Sequence, residues 1–409
     1  MKETVLEKFL RYIAVDTTSD PETGTHPSTP GQLVLGKMLV EELKQLGLAD
    51  ARQDSHGYVY ASIPATPGKE TVPALGFIAH LDTSCAVSGQ NIHPVITRNY
   101  DGGDILLNEE QNLILSPKEF PSLLQYVGKT IVSTDGTTLL GGDDKGGIAG
   151  IMGLLEYLAE HPEFPHGKIC IGFTPDEEIG EGADYFDVPG FGAQFAYTVD
   201  GGMIGELEYE NFNAASANLT FHGKSIHPGS AKGQMVNAIL LAMEFNAMLP
   251  VFENPACTEN REGFHHIDVI RGGVERTDCE YIIRDHDRTL FEKKKENFRD
   301  AALYLNRKYG EGTVELTLTD SYYNMLEKIE PHMHLIENAK SVMESMGIEP
   351  KILPVRGGTD GSRLSYMGLP CPNLFTGGHN GHGRFEYTVA ESLEKIPEIL
   401  LGILRKYAE

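Results

Sequence analysis

Apolar residues in this chain follow two rhythms. Steps of three and four recur over residues 3–12, 32–46, 148–158, 235–249, 290–305, 334–346 and 389–407, and predict amphipathic helices. Short buried or alternating runs over 56–63, 75–79, 168–173, 195–199, 215–221, 264–270, 280–284, 312–318 and 373–375 predict strands. Residues 19–30 are rich in Ser, Thr, Gly and Pro and read as a loop. Between 89 and 132 the pattern is weak, which predicts a surface-wrapping segment with short strands.

The order of the elements divides the chain. Up to residue 211 strands alternate with helices, the mark of an α/β mixed sheet with helices on both faces. Residues 212–321 read βαββαβ, the split pattern of a ferredoxin-like α+β domain. From 322 to 409 the first style returns. The expectation is a discontinuous first domain, 1–211 and 322–409, with a second domain, 212–321, inserted in it. A chain that crosses between domains can hinge there.

Polar residues gather where the predicted strands of the first domain end. In α/β sheets ligand groups collect beyond such ends. The run LLGGDDKGG, 139–147, places Asp143 and Asp144 just before a helix carrying Ile148, Ile151, Met152, Leu155 and Leu158. His80 and Asp82 follow one strand, and in an extended segment they face the same way. Glu177 and Glu178 follow another, Asp200 a third, and His382 lies near the C-terminus. Two imidazoles with several carboxylates are a normal zinc-ligand set. The carboxylates are too many for one structural ion and suit a bridged pair, a centre fit for hydrolysis. Adjacent Glu177 and Glu178 allow one to bind while the other acts as a base, and close like charges raise one pKa.

Composition narrows the class. The 409 residues carry 34 Lys plus Arg against 59 Asp plus Glu, a net charge of -25. That surface repels nucleic acid and anionic membranes and favours cations. No run approaches the ~20 apolar residues that span a bilayer. The charged start, MKETVLEKFLRY, lacks the apolar core of a signal peptide, so a cytoplasmic location is expected. Cys85, Cys170, Cys257, Cys279 and Cys371 have no CxxC spacing and read as reduced thiols rather than a zinc cluster.

Taken together, HLDTS, TLLGGDDKGG, TPDEEIG, TVDGG, GELEYENFNAA, the HPG segment, YIIRDHD, RGGTDGSRLSYMGLPCPNLFTGG and His382 with Glu386 four residues on resemble the co-catalytic zinc exopeptidases. That family includes glutamate carboxypeptidases, aminoacylases and succinyl-diaminopimelate desuccinylase. Within it the chain is most similar to the tripeptide aminopeptidases, colinearly from about residue 80 to 386.

The resemblance implies that His80 and Asp200 hold one metal ion, Glu178 and His382 a second, and that Asp143 bridges them. Asp82 would orient His80, and Glu177 would be the general base that deprotonates the bridging water. Asp144 is not expected to ligate. Neither is His379, which stands where the family tends to carry an aromatic residue. His227 would polarise the scissile carbonyl, from its own chain or across a homodimer formed through the inserted domain. Arg284 would bind the peptide's C-terminal carboxylate, and the loop with Gly358 and Thr359 would line the cleft. Zinc is the expected metal, although cobalt and manganese accept the same ligands.

The implied activity is removal of the N-terminal residue from tripeptides. A dipeptidase or N-acyl amino acid deacylase would use the same ligands. A metal-binding scaffold without activity would have no need of Glu177. A dinucleotide site is disfavoured by paired acids where phosphates want backbone N–H groups, and a P-loop by the missing GK[ST].

Overall fold

A computed structural model describes residues 3–409, which divide into two compact units. The larger comprises the chain up to Tyr209 with Glu327–Leu353 and Thr359–Glu409. The smaller is Glu210–Leu326 with Pro354–Gly358.

The larger unit is built on an eight-stranded mixed sheet. Four neighbouring strands run parallel at its centre: Ile169–Thr174, Leu75–His80, Phe195–Gly201 and Asn373–Phe375. The first three are buried almost throughout, as continuous apolar runs in a doubly covered sheet must be. The helix Gly142–Glu160 packs on Leu75–His80 and Phe195–Gly201, with Val5–Ile13 and Lys395–Ala408 against it. Gly147 permits this approach, because a Cβ there would lie 1.9 Å from the Val199 carbonyl oxygen. A cluster including Tyr58, Ile78, Phe186, Phe191, Leu364 and Leu369 forms a second core that takes in the short helices Val188–Phe191 and Asp360–Tyr366.

Two expectations are corrected. The closing helix is not continuous over 389–407. Val389 ends a strand, and helices Ala390–Leu393 and Lys395–Ala408 follow. Pro397 has no N–H for the Leu393 carbonyl, so the helical ladder breaks there. The segment after residue 89 does form short strands, but it also has a core of its own, in which Tyr100, Leu115, Leu123, Tyr126 and Ile131 pack with Tyr387 and Val389.

The smaller unit has one four-stranded antiparallel sheet, ordered Phe264–Gly272, Arg276–Asp285, Asn213–His222, Val314–Tyr322. Alternate residues Ala215, Ala217, Leu219 and Phe221 share a core with Leu241 and Phe245 of Ala238–Met248 and with Phe291, Phe298 and Leu305 of Arg288–Tyr309. Its limits differ from the 212–321 read from the sequence. Asn211 receives the Met325 N–H at 2.7 Å, while the Asn211 N–H reaches Asn324 Oδ1 at 3.1 Å. These side chains fasten both chain crossings inside the unit. Val355 N–H donates to Glu210 at 2.8 Å and Arg356 Nη1 to the Asn260 and Glu262 carbonyls, which adds a short third segment. Such pairings join residues far apart in the chain and leave no local pattern. No described helix is long and apolar enough to cross a membrane.

Candidate metal centre

Within the larger unit, the C-terminal ends of the parallel strands bring the predicted acids and imidazoles together. His80 ends one strand, and Thr174 leads through Asp176 into the single turn Glu177–Ile179. Asp200 lies at the end of a third. His382 sits in the loop after Asn373–Phe375, in left-handed backbone at φ 62°.

Asp143 is central. Its Oδ1 lies 2.8 Å from His80 Nε2, and its Oδ2 lies 3.2 Å from His382 Nε2. Asp200 Oδ1 completes the first set, 3.4 Å from His80 Nε2. Glu178 Oε2 completes the second, 2.9 Å from His382 Nε2, while Glu178 Oε1 is buried without a hydrogen-bond partner. Two His–carboxylate sets therefore share one carboxylate. Nitrogen and oxygen donors at these separations fit a pair of divalent cations, and a buried Glu178 oxygen free of hydrogen bonds suits a cation beside it.

Charge leads to the same reading. Burial would lower the His80 pKa, but Asp200 and Asp143 outweigh it and hold it well above its usual value. Hydrogen bonds to Asp143 and Glu178 push His382 up to about 11. Burial alone would raise Asp143, yet its bonds to His382 and His80 keep it well below the carboxylate range. Burial pushes Asp200 up to about 7 and, with Asp200 as the next cause, raises Glu177 well above normal. Without metal, protons on the imidazoles supply the positive charge. In that state His382 stabilises the fold fully below its unfolded value of ~6.5 and loses the contribution as pH rises through about 11. Metal must displace those protons. Zinc added to chelator-treated protein is therefore expected to release protons, with affinity rising from about pH 6 to 8. Indicator-dye titration in weak buffer checks the release, and pH-independent binding would contradict it.

Several residues position the donor groups. His80 Nδ1 lies 3.1 Å from the Asp82 carbonyl oxygen and 3.4 Å from Asp82 Oδ1. A proton on Nδ1 leaves Nε2 free to ligate. The buried Asp82 carboxylate also accepts the N–H groups of Glu177 at 3.0 Å and Glu178 at 3.1 Å, and so carries the acidic turn. Asp144 is occupied by the N–H groups of His80 and Gly147, at 3.1 Å each. His379 pairs with the Tyr126 hydroxyl at 2.8 Å and stacks on Tyr387, outside both donor sets.

Glu386 is a site residue whose role sequence reasoning missed. Buried, it accepts the N–H groups of Leu140, Gly141, Gly142 and Asp143 at 2.6–3.3 Å. It thereby anchors the stretch that presents Asp143. Its spacing from His382 was the only signal. Asp360, next after Gly358 and Thr359, is buried, and burial pushes its carboxyl up to about 6.

The remaining predicted residues lie partly on the smaller unit. His227 is exposed, and its Nδ1 accepts the Gly229 N–H at 3.1 Å, so a neutral ring carries its proton on Nε2. Arg284 Nη1 donates to the Ile283 and Ala215 carbonyls at 2.9 and 3.1 Å, and the guanidinium lies 5.6 Å from the Tyr322 ring centre. Gly358 packs on that same ring, where a Cβ would come within 2.6 Å. In the larger unit, the Thr359 side chain caps the helix Asp360–Tyr366.

Residues 209–312 match the peptidase dimerisation domain of M20 peptidases. Peptidase T of Alkaliphilus oremlandii (strain OhILAs) is 56% identical over 408 residues, covering 100% of both chains. The chain belongs to the peptidase T family. It is accordingly a metallo-exopeptidase with an M20-type fold, a mixed α/β catalytic domain and a separate dimerisation domain. The fold is shared with an aminopeptidase from Bacillus cereus ATCC 10987, at 24% identity and TM-score 0.78 over 100% of this chain and 99% of that one. A Staphylococcus aureus tripeptidase gives 22% identity and TM-score 0.80 over 99% and 98%.

Proposed function

We propose that this chain releases the N-terminal residue of tripeptides, with His80 and Asp200 holding one divalent ion, Glu178 and His382 a second, and Asp143 shared between them. The carrying observation is that each Asp143 oxygen faces a different imidazole. A bound pair of zinc-type ions supplies Lewis acidity to the scissile carbonyl and lowers the pKa of water.

The chain's own groups do the rest. Glu177 takes a proton from the attacking water as the oxygen joins the first peptide carbonyl, and returns it to the leaving amine. A half-buried carboxyl with a raised affinity for protons suits that shuttle. Asp82 keeps the His80 tautomer and anchors the Glu177 and Glu178 backbone. His227 offers Nε2–H to the carbonyl oxygen, where negative charge develops. Arg284 clamps the terminal carboxylate, for which a guanidinium is a planar fork. Gly358 gives the Tyr322 ring room beside it, and Thr359 holds the following helix. The smaller unit serves as a ferredoxin-like lid.

The smaller unit also joins two copies. Leu240, Met243, Val251 and Phe252 are 59–77% exposed there, an apolar surface suited to a second chain. His227→Ala is expected to lower turnover without loss of metal. If the donor crosses the dimer, mixing His227→Ala with Glu177→Gln chains restores part of the activity. No recovery after verified subunit exchange would place His227 in its own chain's chemistry or outside it.

A hydrolysis panel tests the whole reading. Free tripeptides should be cleaved faster than di- and tetrapeptides or N-blocked peptides, chelator should abolish cleavage, and metal analysis should find at least two ions. Preferential cleavage of N-acyl amino acids would overturn it.

A further inference from the structure

Outside the bridged pair lies a third set of donors. His26 Nδ1 is 3.3 Å from Asp176 Oδ2 and 3.7 Å from Glu181 Oε2. These separations match those inside the metal centre, where His80 Nε2 and Asp200 Oδ1 are 3.4 Å apart. Ligands ~2.1 Å from a common ion stand about 3–3.5 Å from one another. The His26 side chain is 93% buried, and neither ring nitrogen makes a hydrogen bond. Tyr58 and Tyr185 cover the ring at centroid distances of 5.6 and 4.9 Å. A protonated ring would bury Nε2–H without an acceptor and Nδ1–H out of line with the carboxylates, whereas a ligating Nδ1 directs its lone pair at an ion lying between them.

The acids are built for this place. Asp176 is fully buried and oriented by the Ser28 N–H at 2.7 Å, the Ser28 hydroxyl and Gln32 Nε2 at 2.6 Å. Those bonds leave lone-pair capacity on Oδ2 toward His26. Glu181 is half-exposed and its N–H closes onto the Asp176 carbonyl at 2.9 Å. Asp176 and Glu181 therefore flank the turn that carries Glu177 and Glu178.

We propose that His26, Asp176 and Glu181 bind a third divalent cation of zinc or manganese type, which fastens both ends of that turn. Two carboxylates balance its charge, and one imidazole with two carboxylates is an accepted donor set for either ion. The site does not depend on which peptide is cleaved.

The experiment uses the full chain, stripped with chelator and equilibrated with Zn2+ or Mn2+ alone, with metal content measured by elemental analysis. Wild type should hold one ion more than His26→Ala and one more than Glu181→Gln. In wild-type crystals anomalous density should appear beside His26 Nδ1. The difference of one ion is the reading, so failure of the catalytic pair to load would leave it intact. Should His26→Ala misfold, Glu181→Gln changes only a half-exposed side chain. Equal metal content in wild type and Glu181→Gln, with no density at His26, would overturn the proposal.

Discussion

Glu177→Gln is expected to lower kcat by ~10²–10⁴-fold while both ions of the pair remain bound. Glu177 belongs to neither donor set, which use Glu178, Asp143, Asp200 and the two imidazoles. Its backbone N–H is held by Asp82, an anchor that survives the substitution. Glutamine has the same shape and cannot carry the proton. Removal of a general base leaves the polarisation and positioning of the substrate, so residual activity should remain. Elemental analysis beside single-turnover kinetics separates the outcomes. If an ion leaves together with the activity, Glu177 is a ligand and its role exchanges with that of Glu178.

Amidating the C-terminus of a tripeptide should cost ~10–100-fold in kcat/KM, because a hydrogen bond to a charged group is worth about 1.5–3 kcal/mol and each ~1.4 kcal/mol is tenfold. The proposed clamp, Arg284, is half-buried, with Nη1 on two backbone carbonyls and its guanidinium near the Tyr322 ring. That support preorganises the fork, so little side-chain entropy is lost on binding. Arg284→Ala should lose about as much on the free acid and little more on the amide. Equal sensitivity of wild type and Arg284→Ala to amidation would remove Arg284 from carboxylate recognition. Tripeptide preference would then need another cause.

The sequence by itself determined much of this protein, and the reason is local. Period-two and period-three-to-four patterns are written in consecutive residues, so the central strands, the helix behind Asp143 and the βαββαβ order were legible. Strand ends are legible too, and they carry His80, Asp82 and Asp200. Tertiary structure alone decided how the groups divide. That the two Asp143 oxygens serve different imidazoles depends on His80 and His382, 63 and 239 residues away. That Glu386 gathers four backbone N–H groups depends on a loop from the far end of the chain. His26 lay in a stretch read only as loop, and its meeting with Asp176 and Glu181 leaves no period to detect. Hydrogen bonds and shared ligands are short in space and indifferent to separation along the chain, whereas the hydrophobic patterns that announce helices and strands are set by near neighbours.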